Sequence, residues 1–242
     1  LLQRPLRPSR PDWASLRPIL TMGGHIVTQR AAWYGYANAD SLVVGRVLGT
    51  GPLGLYSLAN VLASTLMDRL SQMVLQVIPG VLSRVQHDVS ELRRYTVAVT
   101  ELLAIVLLPV CVGIALVAAD FTAGVLGAKW MPMTTALRLL SLFCAVKAVQ
   151  PLFQHVLNVL GRTQTMTQAN LLLLVLLPPV FWFGSRWGIT GVALGWLLVA
   201  PWVSVWLARR ALGALDLSLR DFFDGALRVP VTGCAAMSAL VL

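Results

Sequence analysis

Six apolar stretches run along the chain, each separated from the next by a short polar turn. Their approximate bounds are Thr21–Leu48, Tyr56–Leu82, Tyr95–Ala119, Thr134–Leu160, Thr163–Ser185 and Gly188–Arg209, and a seventh, incomplete stretch begins near Gly225. Each complete stretch reaches the ~20 residues that a helix needs to cross a bilayer. Isolated strands are excluded there, because lipid leaves their backbone groups without partners. The pattern therefore predicts an all-α polytopic transmembrane helix bundle, with six spans plus an incomplete seventh.

Polar side chains form a stripe along three of these spans, the first, second and fourth. They recur at intervals of three and four residues, which places them on one helical face. The third, fifth and sixth spans are far more apolar. The stripes and the polar residues beside them include Gln29, Arg30, Tyr36 and Asp40 in the first span, Asn60, Asp68, Arg69 and Gln72 in the second, and Lys147, Gln154 and His155 in the fourth.

The charged members of these stripes decide what the three spans border. A charge in the hydrocarbon costs ~2.5–3.5 kcal/mol on insertion scales, so such residues face a bundle interior or water. Arg30 and Asp40 lie ten residues apart, which is ~15 Å along a helix, so they cannot pair within one span. Ion pairs between spans stay open as the alternative. We expect the three striped spans to line a hydrated cavity.

Composition narrows the class of protein. The chain of 242 residues is 57% hydrophobic and 12% charged, about half the roughly 25% charge of a soluble domain. A soluble globular enzyme is therefore excluded, and so is a disordered chain, which needs low hydrophobicity. The net charge of +9 is expected to report membrane topology rather than nucleic-acid binding.

The basic residues mark one side of the predicted bundle. Most of them lie in the loops of one side, and the positive-inside rule makes that side cytoplasmic. We therefore predict a multi-pass protein of the bacterial inner membrane whose N-terminus is cytoplasmic. The bases of this side are Arg4, Arg7, Arg10, Arg17, Arg84, Arg93, Arg94, Arg162, Arg209, Arg210 and Arg220, against Arg46, Lys129 and Arg186 on the other.

Three segments follow from this topology. Residues 1–20 are predicted to form a basic, proline-containing cytoplasmic linker, residues 21–210 a six-helix transmembrane lobe, and residues 211–242 a cytoplasmic connector and the start of a further transmembrane helix. The chain begins with Leu1 rather than Met and stops inside an apolar run. We expect it to be a fragment of a longer protein.

Motifs for catalysis, phosphate binding or metal binding are absent from the sequence, and its three cysteines lie far apart. We therefore predict that the protein is not an enzyme and holds no metal or cofactor. Energy for any transport would come from a gradient, and coupling to protons or Na⁺ is open.

A series of segments resembles the second half of polysaccharide flippases, which belong to the multidrug/oligosaccharidyl-lipid/polysaccharide exporter superfamily. The segments follow in the same order over most of the chain. They are Asn38–Gly49, Pro52–Ala59, Pro79–Asp88, Leu92–Tyr95, Leu126–Trp130, Leu160–Arg162 and Gly188–Ala193. The sequence departs from the family pattern at Pro79-Gly80, and only one lobe is present.

The resemblance implies two six-helix lobes around a central cavity that opens alternately to either side of the membrane. It implies translocation of an undecaprenyl-diphosphate-linked oligosaccharide across the inner membrane for exopolysaccharide, capsule or lipopolysaccharide biosynthesis. The partners implied are the lipid-linked oligosaccharide, membrane lipids, the missing N-terminal lobe and a polysaccharide polymerase.

Roles for the stripe residues follow under this hypothesis. Arginine and lysine are natural partners of a diphosphate, and polar or aromatic groups suit sugar hydroxyls. The predicted diphosphate ligands are Arg30, Arg69 and Lys147. The predicted sugar ligands are Gln29, Tyr36, Asn60 and Gln72. The predicted ion-coupling or cavity residues are Asp40, Asp68, Gln154 and His155.

Two other functions stay open. A cation-coupled multidrug or metabolite exporter of the same superfamily would be expected to have more acids than bases in its cavity. Because the three predicted bases at least match Asp40 and Asp68, the sequence favours an anionic cargo. A scaffold that assembles polysaccharide enzymes would depend on the basic loops instead of the cavity.

Overall fold

The computed structural model describes residues 13–76, 80 and 88–241. Most of the predicted linker, residues 1–12, and the loop base Arg84 lie outside the described residues. The described chain is helical, with no strand among its residues. This confirms the predicted all-α polytopic bundle.

Ten helices make up the described fold. They are α1 (Trp13–Ala37), α2 (Ala39–Val43), α3 (Thr50–Leu75), α4 (Val89–Phe121), α5 (Thr134–Lys147), α6 (Gln150–Val159), α7 (Thr163–Gly184), α8 (Gly188–Gly213), α9 (Leu219–Phe222) and α10 (Arg228–Val241). Short π-helical turns extend α2, α4 and α9 over Val44–Leu48, Thr122–Leu126 and Phe223–Leu227, and 3₁₀ turns cover Ala128–Met133 and Ser185–Trp187.

The predicted spans are occupied, in the same order, by single helices or by pairs of helices. The first span is α1 with α2, the fourth is α5 with α6, and the second, third, fifth and sixth are α3, α4, α7 and α8. Two differences stand out. Helix α1 begins at Trp13, ahead of Thr21, and the fourth span is broken between Lys147 and Gln150.

Three turns at one end of the bundle share a glycine with positive φ. Gly49, Gly127 and Gly188 have φ angles of 93°, 91° and 69°; the first two precede α3 and the 3₁₀ turn before α5, and Gly188 is the first residue of α8. Only glycine adopts this region without strain, so the chain can reverse there in few residues. Because the connections alternate, all three turns lie at the same end, which we call the glycine end. The turn Val44–Leu48 also packs against Ser185–Trp187.

Helices α7 and α8 form a hairpin with direct backbone contact. A Cβ atom placed on Gly184 would lie 2.6 Å from the carbonyl oxygen of Gly191, and one on Gly191 would overlap the carbonyl oxygen of Gly184. A Cβ on Gly195 would lie 3.0 Å from the Phe181 ring. The Gly191–Gly195 spacing thus serves the close helix packing expected of small residues in membranes.

The core and the outer surface of the bundle are both apolar. Helix α5 is central and packs against α3, α4 and α8. On the outside of α8, Leu194, Leu198, Trp202 and Val205 are exposed at helical spacing, Trp202 by 80%. The stretches Val89–Leu126, Ala128–Val159 and Gln164–Gly213, the last containing the α7–α8 hairpin, are long and apolar enough to cross a membrane. The exposed apolar face fits lipid rather than water.

The segment after the sixth span is a continuous helical run. From Leu219, α9, its π-helical turn and α10 follow one another without a break and pack along α4. The helix thus begins a little before Gly225, where the sequence placed the start of a seventh span.

Candidate functional site

A cavity of about 470 Å³ lies among the helices of the bundle. This volume is within the range of ~300–1,000 Å³ that is usual for small-ligand sites. Its described lining comprises Trp33, Tyr36, Ala37, Asp40, Asn60, Ser64, Met67, Asp68, Ser71, Gln72, Leu75, Phe143, Lys147, Gln150, Pro151, Gln154, Leu173, Trp196, Ala200 and Val203. Apart from Trp196, the polar lining residues come from the first, second and fourth spans, which carry the polar stripes.

One wall is the polar face of α3. Asn60, Ser64, Asp68, Ser71 and Gln72 follow one another at helical spacing and all line the cavity. The Ser71 side chain is 4% exposed, and its Oγ atom has no hydrogen-bond partner within the described part of the chain. A buried hydroxyl without a partner costs free energy, so Ser71 adds an uncompensated polar group to this wall.

The opposite wall is the break in the fourth span. Pro151 has no N–H to donate to the carbonyl of Lys147, four residues earlier, and its ring crowds that carbonyl. Helix α5 accordingly ends at Lys147 and α6 begins at Gln150. The break places Lys147, Gln150 and Gln154 on the cavity. Interrupted helices at membrane depth are typical of transporter binding sites.

A buried carboxylate closes the cavity toward the glycine end. Asp40 is 2% exposed. Its Oδ2 atom accepts hydrogen bonds from the Tyr56 hydroxyl at 2.8 Å and the Trp196 indole N–H at 3.0 Å, and its Oδ1 atom accepts one from the Ser41 backbone N–H at 2.6 Å. Three donors therefore satisfy this charge, and the carboxylate ties α2, α3 and α8 together. We call Asp40, Tyr56 and Trp196 the carboxylate hub.

Aromatic rings surround the Trp196 indole. Phe143 stacks on it at a centroid distance of 4.8 Å, Phe181 lies tilted at 5.1 Å, and Tyr36 meets it edge-on at 6.4 Å. The Lys147 ammonium lies 5.5 Å from the centroid of the Phe143 ring. These aromatic rings thus form an apolar surface beside the carboxylate hub.

Positions along the helices give the direction of the cavity. At 1.5 Å per residue, Tyr56 is ~9 Å and Trp196 ~12 Å from the glycine end, whereas Asp68 is ~27 Å from it. The carboxylate hub therefore occupies the glycine end of the cavity. The polar wall extends from it toward the opposite end of the bundle.

The structure brings together seven of the eleven predicted site residues. Those lining the cavity are Tyr36, Asp40, Asn60, Asp68, Gln72, Lys147 and Gln154; those outside its described lining are Gln29, Arg30, Arg69 and His155. Arg30 and Arg69 are exposed, and Gln29 and His155 are half-buried. Lys147 is thus the one predicted base on this lining, where it faces two acids. The sequence-based expectation that bases match acids is not met by the described lining.

The sequence reasoning missed Trp196 and Phe143. Trp196 lies in the sixth span, one of the three that are far more apolar than the striped spans. One signal was available, because a tryptophan N–H inside an apolar span needs an acceptor, and Asp40 is an acceptor in another span.

Among the described residues, no three His, Cys, Asp or Glu side chains come together to hold a metal ion. The cysteines Cys111, Cys144 and Cys234 are buried and free.

Known proteins resemble the chain over much of its length. An uncharacterized membrane protein in the cps region of Klebsiella pneumoniae is 27% identical over 157 residues, which are 64% of this chain and 32% of the relative. The lipopolysaccharide biosynthesis protein WzxC of Escherichia coli strain K12 is 27% identical over 187 residues, 77% of this chain and 38% of the relative. The teichuronic acid biosynthesis protein TuaB of Bacillus subtilis strain 168 is 24% identical over 131 residues, which are 54% of this chain and 27% of the relative.

The chain spans about a third of the length of these relatives. No solved structure matches it. A profile of the polysaccharide biosynthesis protein family matches residues 3–135, more than half of the chain. With its apolar helices and polar cavity, this chain is a membrane protein that belongs to the polysaccharide biosynthesis protein family.

Proposed function

We propose that the chain forms one lobe of a flippase that moves an undecaprenyl-diphosphate-linked oligosaccharide across the bacterial inner membrane by alternating access. The observation that carries this proposal is a polar cavity of about 470 Å³ inside an apolar helix bundle. The relatives named for lipopolysaccharide and teichuronic acid biosynthesis support a glycan as the cargo.

The cavity residues offer the cargo one positive charge and several hydrogen-bonding groups. Lys147 is the base on the cavity and would attract the diphosphate as a point charge. Asn60, Gln72 and Gln154 carry amide groups, which both donate to and accept from sugar hydroxyls. Arg30 and Arg69 are exposed, and their predicted contact with the diphosphate would require a surface outside this cavity.

The wider setting belongs to the same proposal. Under the positive-inside rule, the bases of the predicted cytoplasmic loops would put the N-terminus and the end opposite the glycine end in the cytoplasm. The cavity would then extend toward the leaflet in which the cargo is made. Protons or Na⁺ would drive the cycle, a second lobe would supply the other wall, and a polymerase would receive the product.

The test is deletion of the gene from its host. We expect lipid-linked repeat units to accumulate and surface polysaccharide to be lost, and the complete gene product to restore both. Lys147→Ala should fail to restore export. Arg138→Ala should succeed, because Arg138 lies on the same helix, exposed and outside the cavity lining. Unchanged surface polysaccharide in the deletion strain would contradict the proposal.

A second candidate is a cation-coupled multidrug or metabolite exporter. The charge of the described lining supports it, because Asp40 and Asp68 face the single base Lys147. Efflux of a cationic dye from vesicles that contain the complete gene product, abolished by Asp68→Asn, would favour this candidate over the flippase.

A further inference from the structure

A groove of about 400 Å³ runs along the first part of α4, at the end of the helix that follows its Asp88 cap. Its described lining is Ser90, Arg93, Arg94, Val97, Ala98 and Glu101. These residues recur at intervals of three and four, so they share one face of the helix. None of them lines the central cavity, and the groove is therefore separate from the site proposed for the cargo.

The charged groups of this groove differ in whether they already have a partner. Arg94 donates to the Glu91 carboxylate at 3.3 Å. Arg93 is exposed and Glu101 is half-buried, and neither forms an ion pair with another described residue. They lie eight residues, or ~12 Å, apart along α4, with Val97 on the lining between them. The groove thus presents a free cation and a free anion, separated by an apolar surface.

The length of α4 sets the depth of the groove in a membrane. Glu101 precedes Phe121, the last residue of the helix, by 20 residues, which is ~30 Å and equals the thickness of the hydrocarbon layer. Beyond Phe121 the chain enters the glycine end, where Trp130 and Trp187 are of the type enriched at membrane interfaces. Glu101 therefore lies at the opposite hydrocarbon boundary, and Arg93 lies among the lipid headgroups.

Beyond Glu101, toward the middle of the bilayer, the exposed face of α4 is apolar. Leu102 and Ile105 are 51% and 47% exposed, and Ile105 lies one helical turn from Glu101 on the same face. An occupant of the groove would thus have a polar part between Arg93 and Glu101 and an apolar part along Ile105. A phospholipid has this arrangement, since its headgroup is joined to acyl chains.

The two free charges select among phospholipid headgroups. A guanidinium binds a phosphate through charge-assisted hydrogen bonds, and a carboxylate binds an ammonium in the same way. A headgroup with negative charge alone would leave Glu101 unpaired beside hydrocarbon, where a charge is costly. A trimethylammonium headgroup carries no N–H to donate to the carboxylate. A headgroup with a phosphate and a primary ammonium matches both residues.

We propose that this groove is a binding site for a zwitterionic phospholipid with a primary amine, such as phosphatidylethanolamine. Its phosphate binds Arg93, its ammonium binds Glu101, and an acyl chain lies along Leu102 and Ile105. The lipid is a component of the surrounding membrane and not the cargo, so the inference goes beyond the proposed function.

Native mass spectrometry of the complete gene product tests the site, because it counts single lipids bound to a membrane protein. The probes are phosphatidylethanolamine, phosphatidylcholine and phosphatidylglycerol with identical acyl chains, titrated separately into the protein in detergent. We expect the first phosphatidylethanolamine to bind about tenfold more tightly than the first molecule of either other lipid, the gain from one charge-assisted hydrogen bond.

Substitutions separate the two ends of the groove. Glu101→Gln should weaken phosphatidylethanolamine about tenfold, leave phosphatidylcholine unchanged and strengthen phosphatidylglycerol, which it no longer repels. Arg93→Gln should weaken all three lipids, because all three carry the phosphate. The matched controls Arg162→Gln and Asp120→Asn change exposed charges outside the lining and should behave as wild type.

Equal affinity of the three lipids for wild-type protein, or tighter binding of phosphatidylglycerol, overturns the inference without any variant. An undiminished preference for phosphatidylethanolamine in Glu101→Gln also overturns it. The titration involves no transport, so either result leaves the flippase proposal standing.

Discussion

Replacing Asp40 by alanine removes the acceptor of two buried donors, the Tyr56 hydroxyl and the Trp196 indole N–H. Leaving a buried donor unsatisfied costs ~1–3 kcal/mol, so the two together cost ~2–6 kcal/mol. Relief from burying a carboxylate offsets part of this cost. We expect Asp40→Ala to destabilise the protein by ~2–4 kcal/mol.

Asparagine at the same position should cost less. It keeps one oxygen that can accept from both Tyr56 and Trp196, but its amide NH2 then faces the Ser41 backbone N–H. It therefore loses the bond from Ser41 and the charge assistance, ~1 kcal/mol per remaining bond. Combining Asp40→Asn with Tyr56→Phe should give less than the sum of the two losses, with a coupling energy of at least ~0.5 kcal/mol.

The assay is the apparent melting temperature of the detergent-solubilised complete gene product, alongside surface polysaccharide in the deletion strain. Asp120→Ala, which removes an exposed acid from α4, is the control and should leave both unchanged. Asp40→Ala with wild-type stability would refute the hub as a structural tie. Loss of export in Asp40→Asn at full stability would instead make Asp40 a group that binds cargo or a coupling ion.

Three further changes test the fold. Gly191→Leu should prevent folding, because its side chain would occupy the backbone of α7, whereas Gly113→Leu in open space should fold; size-exclusion profiles distinguish them. Gly49→Ala should destabilise by ~1–3 kcal/mol through its φ of 93°, measured by melting temperature. A hydrogen bond from the Ser90 hydroxyl, followed by those from the backbone N–H groups of Glu91 and Ser90, lowers the pKa of Asp88. Its stabilisation of α4 is therefore present above the unfolded-state pKa and lost as pH falls through the lowered folded value. The protection of the first-turn amides, measured as hydrogen exchange relative to the intrinsic rate at each pH, should fall in acid for wild type and not for Asp88→Asn.

The spans and the cavity-forming helices were predictable from sequence because both depend on local periodicity. Apolar length located the helices, and stripes identified the first, second and fourth spans. The sequence could not assign single residues to the cavity, because adjacent residues point only 100° apart around a helix. Asp68 lines the cavity while the adjacent Arg69 is exposed, and a stripe two or three residues wide cannot separate them.

The tertiary partners were beyond any local pattern. Trp196 donates to an acid 156 residues earlier in the chain, so its place on the cavity depends on how α8 packs against α2. The break at Lys147 is different, because Pro151 by itself predicts a kink or break in the helix. The apolar pattern nevertheless continues through it, and for that reason the sequence predicted one span from Thr134 to Leu160.

The broken fourth span makes the two ends of the cavity mechanically unequal. At the glycine end, buried hydrogen bonds to the Asp40 carboxylate hold three helices together, so a displacement of one helix moves the others. At the opposite end, α6 is joined to α5 through a joint that lacks a backbone hydrogen bond at Pro151. The wall that carries Gln150 and Gln154 is therefore the compliant one, and it can tilt around a bulky ligand while the stiff end keeps its shape.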